Sequence, residues 1–337
     1  MDRNERIEFS KFYRTFSEQS KDNIQTCYYP GCSERSINSH ILQKNGILSS
    51  ISSHDRHLWE LKIAPFKPSG FEFRRTGINE IFSFNGFCNP HDTALFKKIE
   101  QEEIDFSNYK SCILFSLRTL YNEIFRKQVV LKTDDDLIKT LPEKFSNPNF
   151  LEHRRQVNLG LQDMRQTEKD IWNDLNNDTE SFVFEHRMLE KIEICVSSYF
   201  NYDTSGEMQD YFIKHGKDKD RVVIIFVNCF PYKGKSILLM GYNKLDEKKV
   251  KGYFYSFFRE SEKKTQRKLT NLMLFQCETW LSSDRFHKEK IKGIEQLYID
   301  AIDFSHTNPN ERKMFDLNFY DGNFKQKLAG WKDKWAR

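Results

Sequence analysis

The sequence predicts an α+β fold in three parts: a cysteine-bearing N-terminal module at residues 1–105, a long helical hairpin at 106–180, and a mixed α/β C-terminal body at 181–337. Three observations predict it. The first part holds three of the seven cysteines and four of the nine histidines among short alternating segments. The second repeats apolar residues at intervals of three and four. The third opens with alternating and β-branched runs and continues in helical patterns.

In chain order, Leu58 to Ile63 and Phe71 to Arg75 alternate apolar with polar residues and read as strands, with Pro65, Pro68, Ser69 and Gly70 as the turn between them. Tyr109 to about Leu131 places Ile113, Leu114, Leu117, Leu120, Tyr121 and Ile124 on one helical face. The acidic stretch Lys132 to Asp136 and the turn Leu141 to Pro148 separate it from a second long helix, Phe150 to about Leu175, so the two should pair antiparallel. Lys191 to Val196, Arg221 to Asn228 and Lys235 to Tyr242 read as strands, the last two joined by a hairpin connection at Phe230 to Lys235. Helices follow at about 260–281 and 285–301. No internal repeat or low-complexity tract interrupts the chain.

Composition bounds the function. In 337 residues, 38% are hydrophobic and 30% charged, enough to build cores and too apolar for a disordered chain. Lys+Arg 53 against Asp+Glu 49 is nearly balanced, which excludes a polybasic tail binder and still permits a local basic face. The start, from Met1 to Phe16, carries charges throughout and lacks the apolar centre of a signal peptide. The longest apolar runs, Val222 to Val227 and Ile237 to Met240, are too short to span a bilayer. The expectation is a cytoplasmic protein with no membrane partner and no disulfide framework.

Some cysteines then need another use. Cys27 and Cys32 flank a Pro30-Gly31 turn, so both sulfurs can point at one centre. Cys88 and His91 stand three apart, with Pro90 where the first turn of a helix tolerates it, and an amphipathic segment continues to Glu100. A knuckle, a strand-rich middle and a helix start supplying two ligands make a treble-clef site for structural Zn²⁺, with Cys27, Cys32, Cys88 and His91 as ligands. The 55 residues between Cys32 and Cys88 are more than compact zinc fingers use. Buried unligated thiols and redox chemistry are the other uses open to such cysteines.

His40 is a fifth candidate, eight residues after the knuckle in Ser36-Ile-Asn-Ser-His-Ile41. With Asn85 before the second ligand pair and Asp92 directly after His91, residues 24–100 resemble the HNH (His-Me finger) endonucleases that carry a treble-clef zinc site. The resemblance implies that His40 is the general base, Asn85 the residue that orients it, and Asp92 the ligand of a catalytic Mg²⁺ or Mn²⁺. Phosphodiester hydrolysis needs such a base and cation, and a carboxylate suits the hard cation as thiolates suit zinc. It also implies a nucleic-acid partner, most directly DNA, and a place in defence against foreign DNA. Ser39 stands where the family has an acidic or histidine ligand, and Asp92 where it has histidine or asparagine. The alternative is a non-catalytic clef that keeps zinc as a structural or partner-binding module, with His40 satisfied in packing and Asn85 in its turn role beside Gly86. The C-terminal body would carry a protein partner, a sensor role or oligomerisation.

Other residues have both a functional and a bland reading. His54 and His57 suit a polar loop. Arg74, Arg75, Lys97 and Lys98 can touch phosphates or form a solvated face. Tyr13, Phe16, Tyr28 and Tyr29 can stack on bases or pack the module's core. The basic stretch Ser261 to Lys268 is a helix start that can meet nucleic acid. Asp134, Asp135 and Asp136, and the pair Glu185 and His186, have no partner at catalytic spacing. Asp203 to Gly206 reads as a turn.

Overall fold

A computed structural model describes residues 3–64, 70–202, 206–216, 222–277, 279–307 and 317–335. The turn expected at Pro65 to Ser69 and most of the one at Asp203 to Gly206 lie outside the described residues. The charged N-terminal stretch forms a long helix, α1 (Arg3–Asn23). Two short strands, β1 (Asn38–His40) and β4 (Ser83–Asn85), pair antiparallel, and α2 (Asn89–Phe96) follows them directly. Between these two strands lies the long hairpin β2 (His57–Ile63) and β3 (Phe71–Gly77).

Two long helices come next, α3 (Tyr109–Thr140) and α5 (Pro148–Asn177), joined through the single turn α4 (Pro142–Phe145). Asn108 caps α3 by accepting from the Ser111 amide, and Asn147 caps α5 by accepting from Phe150, with Pro148 in the first turn. The acidic stretch Lys132 to Asp136 does not end α3, which runs to Thr140. Thr133 returns its hydroxyl to the Val129 carbonyl at 2.7 Å, and Asp135 pairs outward with Arg154 of α5 at 2.6 Å, so the stretch serves the helix pair.

The strands β5 (Phe182–Leu189), β6 (Ile194–Asn201), β7 (Ile224–Tyr232), β8 (Lys235–Asn243) and β9 (Trp280–Ser282) complete a seven-stranded sheet in the order β3-β2-β9-β6-β7-β8-β5. Every pairing in it is antiparallel. Lys233 (φ 46°) and Gly234 (φ 78°) make the two-residue turn between β7 and β8, the geometry that matches strand twist. The sheet draws on both sides of residue 105, because Trp59 and Glu60 of β2 lie opposite Ser282 and Leu281 of β9.

Both faces of this sheet are covered, which explains the unbroken apolar run at Val222 to Val227. On one face Phe226, Phe230, Leu239 and Leu281 pack with Ile113, Leu117 and Leu120 of α3. On the other, Val227, Cys229, Leu238 and Met240 pack with residues of α7 (Glu247–Arg259) and α8 (Glu262–Phe275). The helices α6 (Gly206–His215), α9 (Asp284–Phe286), α10 (Glu295–Thr307) and α11 (Phe324–Trp335) finish the described chain. A buried polar bridge sets α3 on the sheet: the Thr119 hydroxyl lies 2.7 Å from that of Ser197 and 3.4 Å from the Asn228 side-chain oxygen. Among the described residues no helix is long and apolar enough to cross a membrane.

Candidate metal centre

The knuckle forms because Gly31 takes φ 76°, closing the chain so that the Cys32 amide donates to the Tyr29 carbonyl at 3.0 Å and the Cys27 amide to Glu34 at 2.9 Å. Tyr29 also directs its amide at the Cys27 sulfur, 3.4 Å away. The other two donors come from the start of α2: Cys88 is its N-cap, and His91 sits one turn in behind Pro90. The strand pair β1 and β4 carries the two halves together, with the Tyr28 amide on Gly86 and Ile37 on Phe87.

The four ligand atoms of Cys27, Cys32, Cys88 and His91 lie within 4.8 Å of one another. Individual separations are 3.6 Å from Cys27 Sγ to His91 Nδ1, 4.0 Å from Cys32 Sγ to Cys88 Sγ, and 3.1 Å from Cys88 Sγ to His91 Nδ1. Tetrahedral coordination with metal–sulfur bonds of about 2.3 Å would put ligand atoms roughly 3.6–3.8 Å apart. The four groups therefore form a Cys₃His set that can hold a metal ion, and three thiolates with one imidazole suit structural zinc. Burial pushes the Cys27 thiol up to about 11, so a cation is what would favour its thiolate.

The aromatic residues of the knuckle are packing residues. Tyr29 stacks on His91 at 3.8 Å and meets Trp172 of α5 edge-on. Tyr28 stacks on Tyr121 of α3 at 4.8 Å and donates its hydroxyl to Gln128. Tyr121 in turn donates to Glu168 and accepts from Trp172. Tyr13 and Phe16 join a small cluster with Phe9, Leu137 and Phe145.

His40 ends β1 opposite Ser83, half-buried, with Nε2 2.9 Å from the Ile78 carbonyl. Since a carbonyl only accepts, that contact puts the proton on Nε2 and leaves Nδ1 as the acceptor of the neutral ring. Burial pulls the imidazole below its usual range; the Ile78 carbonyl and Asp92 push it up, while Lys44 and Arg118 push it down. Asp92 lies in the first turn of α2, its Oδ2 3.6 Å from Arg118 and its Oδ1 buried without a partner. Arg118 is buried, pairs with Glu100 at 2.5 Å and lies over the Phe96 ring at 4.0 Å.

Asn85 is not brought to His40 by a hydrogen bond: its amide donates to the carbonyls of Lys21 (2.9 Å) and Ile24 (3.2 Å), tying the end of α1 to β4. Ser39 is buried, alternating away from His40, with its hydroxyl 3.5 Å from the Phe87 amide. Arg75 is committed to Asp55 and Asp284, and Lys98 to Asn108, while Arg74 and Lys97 are exposed. His57 begins β2 and bonds the Asp55 carbonyl. Sequence reasoning missed Ile78, Glu100 and Arg118; the one available signal was a lone arginine inside the apolar stretch of α3 between Ile113 and Ile124. Comparison with family models, with curated proteins and with solved structures gives no match for this chain.

Proposed function

We propose that the clef is a zinc-held HNH-like nuclease centre, in which His40 activates water for metal-dependent hydrolysis of nucleic-acid phosphodiester bonds. The observation that supports it is that His40, fixed through Nε2 on the Ile78 carbonyl with Nδ1 left as the acceptor, lies within the field of Asp92, whose Oδ1 is buried and unpartnered in the first turn of α2. In this reading Nδ1 takes the proton of the attacking water, and a neutral imidazole near pH 7 is suited to that task. Asp92 would hold Mg²⁺ or Mn²⁺; the cation, when bound, supplies positive charge for the developing negative charge and the leaving oxygen. Zn²⁺ on Cys27, Cys32, Cys88 and His91 fixes the strand pair to α2 and so fixes His40 relative to Asp92. DNA is the proposed substrate, with a cytoplasmic role in defence, and the C-terminal body is assigned the partner, sensing or oligomerising role.

A second reading rests on two specific observations. The Asn85 amide is spent on α1, and Arg118 stands against Asp92. Both suit a clef that binds zinc as a structural or partner-binding module without catalysis.

The test is cleavage of supercoiled plasmid and of a single-stranded RNA by the metal-loaded chain with Mg²⁺ or Mn²⁺, beside His40→Ala. The nuclease reading expects a loss of at least about 100-fold in the variant at unchanged zinc content. A zinc-loaded chain that cuts neither substrate leaves the non-catalytic reading standing, and a His40→Ala variant as fast as the parent removes His40 as the general base.

A further inference from the structure

A cavity of about 1150 Å³ lies between α1, α3, α4 and the clef. It follows α3 from Asn122 to Leu137, a run of roughly 22 Å at 1.5 Å per residue. Its walls are largely apolar, formed by Phe9 and Tyr13 of α1, Phe82 beside β4, Phe125 and Val129 of α3, and Phe145 of α4. An apolar-walled cavity of this kind is the usual form of a small-molecule pocket, and the lining here also carries five carboxylates and five lysine or arginine side chains.

The polar groups decide what it takes. Of the five carboxylates of the lining, Glu80 is exposed to solvent and three are already matched: Glu5 by Lys144 at 3.1 Å, Glu60 by Lys62 at 3.2 Å and Thr76 at 2.5 Å, and Glu123 by Arg126 at 2.9 Å. Asp134 is different. It is 2% exposed, and its Oδ2 is buried with no hydrogen-bond partner. The neighbouring cation, Arg154, gives its hydrogen bonds to Asp135 instead. Trp280 Nε1 is a second orphaned atom among the lining residues, but that ring packs with Phe73, Tyr298 and Phe319 in the core on the far side of the sheet. A buried carboxylate without a matching charge is costly, and a cation brought by a ligand would remove that cost.

We propose that this cavity binds an amphipathic amine, with its single protonated nitrogen on the Asp134 carboxylate and its apolar body along Phe82, Phe125 and Val129. The chemistry discriminates among amphiphiles of equal length. An ammonium group gives Asp134 both charge and a hydrogen bond, an alcohol gives only the hydrogen bond, and a carboxylate adds repulsion.

Calorimetric titration of the full chain with dodecylammonium, dodecanol and dodecanoate, each below its micelle concentration at pH 7.5, tests this. Dodecylammonium should bind one per chain, at least tenfold tighter than dodecanol, with dodecanoate weakest. Asp134→Asn should bring dodecylammonium to the level of dodecanol, and Val129→Trp, which fills the cavity, should weaken both. Equal affinity for the three amphiphiles, no binding of dodecylammonium, or an unchanged affinity in Asp134→Asn overturns the assignment. Should that variant not fold, the comparison of the three amphiphiles on the parent chain decides it alone.

Discussion

Tyr29 lies flat on His91, with ring centroids 3.8 Å apart and planes 8° from parallel. One residue of the knuckle thus fixes the ring of the ligand supplied by the opposite half of the clef. Groups that orient a ligand without touching the metal commonly govern affinity by about 10–100-fold. Tyr29→Ala is therefore expected to weaken zinc binding by about tenfold, measured by competition with a chromophoric chelator. Cys88→Ser should lose the metal outright and lower the melting temperature, as chelator treatment of the parent should.

Arg118 tests how the clef is fastened to α3. Arg118 is 1% exposed, and its guanidinium stands between Glu100, at 2.5 Å, and Asp92, at 3.6 Å. Arg118→Met replaces the guanidinium over Phe96 with an apolar end and leaves both carboxylates without their cation. Breaking one side of a buried pair costs on the order of 3 kcal/mol, so the midpoint of urea unfolding should fall accordingly. Glu100 is partly exposed, which holds the effect toward the low end of that range.

The metal set was legible because its information is local. Two cysteines around Pro30 and Gly31, and Cys88 with His91 at a helix start, carry their geometry in their spacing. The face of α3 was legible in the same way. What joins these pieces was not. Trp59 meets Ser282 across more than two hundred residues, and nothing in either segment names the other. The acidic stretch Lys132 to Asp136 looked like a boundary because composition does not say which way each carboxylate turns: Asp134 goes inward and Asp135 outward to Arg154. Asn85 and Arg118 are the same lesson inside the candidate site. One matches the HNH pattern by position yet spends its amide on α1, and the other has no motif and stands beside Asp92.

Asp174 locks the end of α5 to the start of β5. Its carboxylate accepts from the hydroxyls of Tyr109, Thr179 and Ser181 and from the Ser181 amide, at distances from 2.5 to 2.8 Å. Burial alone would raise its pKa, but these hydrogen bonds overcome that and hold it below the usual carboxylate range. The stabilisation is therefore present above the unfolded value near 4 and is lost as pH falls through the lower folded value. Asp174→Ala should cost on the order of 2–3 kcal/mol at pH 7. The gap to the parent should narrow below pH 4 in urea unfolding.

Asp134 should act in the opposite direction. Burial, reinforced by Asp135 and opposed by Arg154, pushes its carboxyl from 3.8 up to about 7. Tyr13 of α1 also lies within its field, and the cavity further presents Glu5, Lys144 and His153. A folded pKa above the unfolded one means the native state keeps its proton while the unfolded chain releases it. Stability linked to this group is then complete below pH 4, declines from pH 4 to 7 and is flat above. At about 1.4 kcal/mol per pH unit, the shift sets an upper bound of about 4 kcal/mol on that loss. Asp134→Asn preserves the volume and abolishes the ionisation. Its stability relative to the parent should rise steadily between pH 4 and 7, approaching an advantage of a few kcal/mol at pH 8 in urea unfolding. Parallel stability curves for the two proteins across that range would mean that the native carboxyl ionises as an ordinary aspartate does. A cationic ligand in the cavity should shrink the variant's advantage, because it binds the chain that still carries the charge more tightly.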